Sequence, residues 1–476
     1  MNTVRTRFAP SPTGFMHVGG IRTALFAWLV ARQAGGQFIL RLEDTDQKRE
    51  VEGSAKHLIE SLHQLSIDYD EGPDIGGPCG PYKQSDRLDI YKQWAQKLID
   101  SGRAYADPYS SDEIQSLRDQ AKTEKRAFLY RDHRPKNTSP WDGSTPLRFK
   151  SEPKAYRWHD EVMGSLQAGS EVVDDFILIK PDGFPTYNFA HIVDDAEMKI
   201  THIIRGQEFI SSQPNYLNLY EALDHTPPIF ATVPHILSES GNKKLSKRDG
   251  AKDILSYIHD GYLPEALINF IASMGWNDGT EQEIFTRDEL IEKFSLSRVQ
   301  RSGARFDQKR LLWMNGQHIR NLSVNELYER VENFWPDSAK QTSEESRIKV
   351  LTLVQDRLKT LADLPTLTDY FFVEPVIDWL MVTENKQLSA FSHDEIIALL
   401  KTAKTAFETS EFDGGSIQAT LNTLLEMTRQ KPSILFGLIR LAVSWAAFSP
   451  ALNDTLAILG KETVLTRLQA AIDSPA

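Results

Sequence analysis

A chain of 476 residues is too long for one hydrophobic core and predicts about three domains. Hydrophobic residues at 40% and charged residues at 25% are ordinary for a globular protein, and Met1 to Phe8 carries no apolar secretory core, so the cytoplasm is the expected compartment. Cys79 as the only cysteine excludes intrachain disulfides and cysteine-rich zinc sites, and a net charge of −12 argues against a nucleic-acid-coated body while allowing a local basic track.

In chain order, Val4 to Ala9 is a strand candidate running into the loop Pro10-Ser11-Pro12-Thr13-Gly14. A helix from near Gly20 sets Ala24, Leu25, Trp28, Leu29 and Ala31 on one face, and Gly35-Gly36 ends it. Gln37 to Leu42 returns as a strand, completing the βαβ unit of a parallel sheet. Ligands of such sheets gather at the carboxyl ends of the strands, where the Pro-Ser-Pro-Thr-Gly loop and Glu43-Asp44 fall. Neither the dinucleotide glycine spacing nor the phosphate-loop spacing is present. In their place His17-Val18-Gly19-Gly20 stands at a helix start, where unpaired N–H groups and the helix dipole favour phosphate. Glycines at 19 and 20 let a flat base approach the backbone, and the imidazole can donate to phosphate oxygens.

Residues 125 to 134, Lys-Arg-Ala-Phe-Leu-Tyr-Arg-Asp-His-Arg, interleave cations with rings, a composition suited to nucleic acid or to a solvated loop. Pro228 to Leu237 is the next apolar strand candidate. It leads into Lys243-Lys244-Leu245-Ser246-Lys247-Arg248 between Gly241 and Gly250, followed by a helix from about Asp253. A basic run is ordinarily a solvated loop. Hinged by glycines here, it can close over a triphosphate and stabilise the α-phosphorus and the leaving pyrophosphate. Together the two words point to a ligase that activates a carboxylate as an adenylate. A second basic stretch contains Arg298, Arg301, Arg305, Lys309 and Arg310. From about Ser323 helical patterns dominate: Ser323 with Glu326 has capping-box spacing, and longer helices are expected over 346–364, 392–408 and 463–472. Ile434 to Ala447 is too short to span a bilayer, carries Arg440, and is expected to be a buried helix.

These words, with Arg7 to Gly14, Arg41 to Asp46, Asp70 to Pro73, Gly80-Pro81-Tyr82, Phe184 to Asn188, Val193-Asp194-Asp195, Ile204-Arg205-Gly206, Leu311 to Gly316 and Leu459 to Glu462, closely resemble a known family. The chain resembles the bacterial-type glutamyl-tRNA synthetases, class I aminoacyl-tRNA synthetases, over nearly its full length. Their His-Ile-Gly-His and Lys-Met-Ser-Lys-Ser signatures stand here in variant form. The resemblance implies ATP-dependent attachment of L-glutamate to tRNA(Glu) through a glutamyl-adenylate, with magnesium arriving on ATP. It implies catalytic His17 and Lys247, and ATP contacts from Ser11, His17, Gly19, Gly20, Lys244 and Lys247. For glutamate it implies Arg7 on the side-chain carboxylate, Arg205 on the α-carboxylate, Glu43 on the ammonium, and hydrogen bonds from Ser11 and Tyr187. A structural ion pair between Arg7 and Glu43 is the alternative. His191 either donates into the pocket or faces the core.

Expected tRNA contacts are Arg126, Arg131 and Arg134 in the insertion, Arg301 and Arg305 beyond it, and Arg357 opposite the third anticodon base. Some relatives hold zinc in the insertion; Ala104 to His133 has no cysteine, so no structural zinc is expected. The implied fold is α/β: a Rossmann-like catalytic domain over 1–102 and 187–240 and an acceptor-end insertion over 103–186. A stem-contact domain over 241–322 carries the lysine loop, and an all-helical anticodon-binding domain spans 323–476. The helical tail disfavours a glutaminyl relative, which carries β-barrels there, and a shortened paralogue, which lacks the tail. The retained histidine and lysines disfavour a catalytically dead tRNA-binding protein. A small-molecule adenylate ligase has no use for the tail or the basic tracks. A monomer without membrane association is expected, and charging of tRNA(Gln) is left open.

Overall fold

The strand–helix–strand opening forms as β1 (Arg5–Phe8), the helix Val18–Gln33 and β2 (Gln37–Leu40). The computed structural model describes residues 3–137, 139–245, 252–446 and 449–475. The expected helix face is buried, and so are Ile21, Phe26 and Ala27, so this helix is wrapped nearly all round. Thr6 fixes it to the sheet by donating its hydroxyl to the Ala27 carbonyl at 2.7 Å. The remaining strands are β3 (Ala104–Ala106), β4 (Leu147–Phe149), β5 (Tyr156–Asp160), β6 (Gly164–Ala168), β7 (Ile177–Ile179), β8 (His202–Gly206), β9 (Ile229–Val233), β10 (Ile236–Leu237) and β11 (Ala304–Arg305).

Six of them form one sheet in the order β2-β1-β8-β9-β5-β6. It is parallel from β2 to β5, with β6 antiparallel at the edge. β1 lies between β2 and β8, so the carboxyl ends of these strands converge and bring Arg7, the loop after Phe8, Glu43 and Arg205 to one rim. β3, β4 and β7 make a separate antiparallel sheet. Segment 103–186 thus contributes to two sheets, because β5 pairs with β9 through Asp160 opposite Phe230.

The chain divides into two compact units, Met1–Ile258 with Pro264–Gln308, and His259–Leu263 with Lys309–Ala476. The second is helical, with a core including Leu400, Phe407, Leu421, Leu435, Leu438 and Leu468. Burying each such side chain stabilises the unit by about 1.5–3 kcal/mol. Ser323 and Glu326 form the expected capping box, and Ser392 with Glu395 forms another before the helix His393–Thr409. The apolar stretch near residue 434 is the helix Pro432–Ser444. The helix expected over 346–364 instead stops at Val354 and gives way to short turns. Gln355 is drawn out of line because its amide donates to the Ile319 and Leu322 carbonyls at 3.0 and 2.8 Å. Among the described residues, no helix is long and apolar enough to cross a membrane.

Candidate active site

A cleft of about 620 Å³ opens at the rim where β1, β2 and β8 converge. It is lined by Arg7, Ser11, His17, Gly19, Gly20, Glu43, Tyr187, Arg205 and Lys244, among others. Backbone bonds hold its first wall: Arg41 and Glu43 donate their N–H groups to Phe8 and Pro10 carbonyls, both at 3.0 Å, and Val51 donates to Pro12 at 3.0 Å.

His17 is the N-cap of the Val18–Gln33 helix, and its Nδ1 accepts from the N–H groups of Gly19 and Gly20 at 3.1 and 3.3 Å. That fixes the tautomer: Nδ1 is the acceptor, so Nε2 carries the proton and is the donor atom of the ring. The glycines also leave room for neighbouring side chains. A Cβ at Gly19 would stand 3.0 Å from the His17 ring, and one at Gly20 only 2.6 Å from the Met16 sulfur. The chain leaving the lysine loop is tied beside this histidine. His57 Nε2 bonds the Asp253 carboxylate at 3.1 Å, while Phe15 stacks on the His57 ring at 4.7 Å. Lys244 pairs loosely with Glu208 at 3.9 Å, and Lys247 lies outside the described residues.

The floor of the cleft is a buried charge network. Arg7 donates to Asp195 through Nε at 3.0 Å and Nη2 at 3.5 Å, and to the Ile204 carbonyl through Nη1 at 3.4 Å. Arg41 reaches Asp195 at 2.8 Å and Glu43 at 2.9 Å. Asp194, behind it, accepts from Arg87, Gln84 and Tyr91. The alternative Arg7–Glu43 pair is replaced by these two separate pairings. Burial pushes the Glu43 carboxyl up to about 7, against the pull of Arg41 and Arg7. Burial also acts to raise Asp195, but Arg7 and Arg41 outweigh it and hold that carboxyl near 2.

Arg205 meets different company. Its Nη2 donates to the Gln213 side-chain oxygen, and its Nη1 is buried without a partner. Tyr187 closes the cleft beside it, stacked on His191 at 4.7 Å. His191 does not line the cleft: it is buried behind Tyr187 and donates from Nδ1 to the Tyr187 carbonyl at 2.7 Å. Burial, with help from the Arg205 charge, lowers its pKa to about 3, so the ring is neutral. Of the two places open to it, His191 occupies the core.

The basic residues separate into engaged and open groups. Arg131 donates to the Ser170 carbonyl at 2.8 Å and to Val173, and Arg134 is bidentate on Asp175. Both brace the insertion instead of forming an open cationic surface. Arg126 is exposed but paired with Glu124, and Arg301 is exposed with Nε on the Val162 carbonyl at 3.0 Å. Arg305 and Arg357 are exposed and make no hydrogen bond or ion pair among the described residues. Sequence reasoning gave no role to Asp195, Arg41, Arg22 or Gln213. The first two sit inside words that were visible, Val193-Asp194-Asp195 and Arg41-Leu42-Glu43, whereas nothing marked Arg22 or Gln213. Arg22 enters the cleft from the helix and donates to the Met274 carbonyl at 3.2 Å; burial lowers its pKa to about 10. Among the described residues, no group of three or more His, Cys, Asp or Glu is arranged to hold a metal ion.

Residues 3–313 match the family described as tRNA synthetases class I (E and Q), catalytic domain, and residues 326–472 match the anticodon binding domain. The chain is 38% identical to a glutamate–tRNA ligase of Dehalococcoides mccartyi, covering 99% of this chain and 97% of the relative. It is 40% identical to that of Chloroflexus aurantiacus, covering 98% and 97%. The solved structure of a glutamate tRNA ligase from Elizabethkingia meningosepticum, in complex with its amino acid, superposes with a TM-score of 0.89 at 32% identity. It covers 99% of this chain and 100% of that one.

Proposed function

The chain belongs to the class I glutamate–tRNA ligases, and from that premise we propose how its cleft performs the reaction. The enzyme attaches L-glutamate to tRNA(Glu) in two steps. The α-carboxylate of glutamate attacks the α-phosphorus of ATP and expels pyrophosphate. The terminal ribose hydroxyl of the tRNA then attacks the adenylate carbonyl and expels AMP. No side chain acts as a covalent nucleophile; positioning and charge stabilisation supply the catalysis.

In this reading Arg7 holds the side-chain carboxylate, Arg205 the α-carboxylate and Glu43 the ammonium, with Ser11 and Tyr187 adding hydrogen bonds. His191 acts one step back, by setting the Tyr187 ring. Gly19 and Gly20 lie under the nucleotide, and His17 donates through Nε2 to the phosphates. Lys244 and Lys247 neutralise the triphosphate as pyrophosphate leaves. Arg305 and Arg357 serve the tRNA.

One observation carries this reading: a single cleft is lined both by the carboxylate-binding set, Arg7, Glu43, Tyr187 and Arg205, and by the phosphate-binding set, His17, Gly19, Gly20 and Lys244. The test is charging of purified tRNA(Glu) by the wild type and by Lys247→Ala. Wild type attaches glutamate, and the variant loses about two to three orders of magnitude in the chemical step with little change in glutamate KM. A variant that charges at near wild-type rate removes the lysine from the mechanism.

A further inference from the structure

The two arginines of the cleft floor differ in what neutralises them. Arg7 has a buried carboxylate, Asp195, as its counter-charge. Arg205 is only 6% exposed, yet among the described residues it makes no ion pair. Three rings surround its guanidinium, Tyr216 at 5.1 Å, Phe209 at 5.2 Å and Phe230 at 5.6 Å. Its side-chain partner is the neutral amide of Gln213, itself 3% exposed, which accepts from Nη2. Two buried donors are left over, Arg205 Nη1 and Gln213 Nε2. Gln213 opens the helix Gln213–Ala222, joined to β8 by the short turn Gln207–Ser212. The connection that leaves the arginine's strand therefore fixes the amide.

A buried cation without a counter-charge destabilises the unliganded protein, and an arriving anion relieves that cost. A carboxylate at position 213 would have nearly the shape of the amide and would supply the missing charge internally. We propose that Gln213 is a positioning and specificity-determining residue: its amide oxygen orients Arg205 while its neutrality keeps the guanidinium charge for the substrate carboxylate. The inference rests on the reading of Arg205 as a glutamate-binding residue. Neutrality is the functional property. An acid here would satisfy the arginine and compete with glutamate for it.

The experiment measures glutamate KM, ATP KM and kcat in tRNA(Glu) charging for Gln213→Glu, Gln213→Leu and Arg205→Met. Gln213→Glu is expected to raise glutamate KM by about 30-fold or more, the scale of losing one partner of a buried charge pair. ATP KM stays unchanged, and kcat at saturating glutamate is retained. Gln213→Leu removes the clamp without adding charge, so it raises glutamate KM by roughly fivefold, the scale of one net hydrogen bond. A merely structural role would move ATP and glutamate KM together, and that result overturns the proposal. Wild-type glutamate KM in Gln213→Glu, with a raised KM in Arg205→Met, also overturns it while leaving the site reading intact. If Arg205→Met keeps wild-type glutamate KM, the site reading fails and this inference falls with it. Should Gln213→Glu not fold, a wild-type glutamate KM in Gln213→Leu overturns the clamp on its own.

Discussion

Glu43 holds a carboxyl whose pKa burial raises to about 7 while Arg41 and Arg7 pull the other way. For a group raised in the folded state, the stabilisation is complete below its unfolded pKa and is lost as pH rises through about 7. The ionised form is thus the costly one, and it is the form that can accept an ammonium. In the role proposed for Glu43 the substrate glutamate brings that ammonium, so its binding below pH 7 releases a proton. The prediction is that kcat/KM for glutamate falls as pH drops from 8 to 6, approaching about tenfold per unit below the Glu43 pKa. Glu43→Gln should be far weaker and flat over that range; a wild-type profile unchanged across it would dismiss Glu43 as the ammonium acceptor. Asp195 has the opposite sign: depressed to about 2, it contributes stability above its unfolded pKa that is lost only in strong acid. Arg41, Glu43, Asp194 and Asp195 were readable as two charged words. Their pairing was not, because Arg41 and Asp195 are 154 residues apart and only the order of the sheet brings them together.

At the scale of elements, the Val18–Gln33 helix joins stability to chemistry through its cap. Aspartate, asparagine, serine and threonine are the usual N-caps; here the His17 imidazole takes that place through Nδ1 and so keeps its proton on Nε2. Cap and donor can be separated. Asparagine caps well but has no group where Nε2–H stood, so His17→Asn should keep stability within about 0.5 kcal/mol. Charging should fall by about 100-fold, the scale of one lost transition-state donor. Thermal unfolding and charging rate read the two effects, and a His17→Asn enzyme with wild-type turnover would leave the imidazole as a cap alone. The element was legible from its glycines and helical period; the capping role was not, since histidine is not a usual cap. The early end of the helix expected over 346–364 and the internal engagement of two insertion arginines have one cause. Gln355, Arg131 and Arg134 spend their donors on carbonyls and carboxylates of distant segments, and such long-range satisfaction leaves no periodic trace.

At the scale of the whole molecule, the chemistry belongs to one unit, and recognition of the correct tRNA is proposed for a surface of the other. Arg357 lines a cavity of about 890 Å³ in the helical unit, with Lys349, Asp356, Gly414 and Asp454. It ends the turn Gln355–Arg357 after the helix Glu344–Val354, exposed and without a hydrogen bond or ion pair among the described residues. Burial and the nearby Arg357 charge lower the pKa of Arg440, so two guanidiniums share this locality. An unengaged arginine can serve a phosphate or a base edge. A phosphate contact weakens every tRNA alike, whereas a base contact discriminates by roughly 1–3 kcal/mol. The third anticodon base is cytosine in tRNA(Glu) and guanine in tRNA(Gln), so a guanidinium fork there can favour the cytosine while its bulk disfavours the guanine. Arg357→Gln is expected to narrow the ratio of kcat/KM for tRNA(Glu) over tRNA(Gln) by about tenfold or more. Its charging of free amino acid substrate should show an unchanged glutamate KM, because the variant touches neither the cleft nor its supports. An equal loss on both tRNAs, with a salt dependence shallower by about one charge, would assign Arg357 to the phosphate backbone instead.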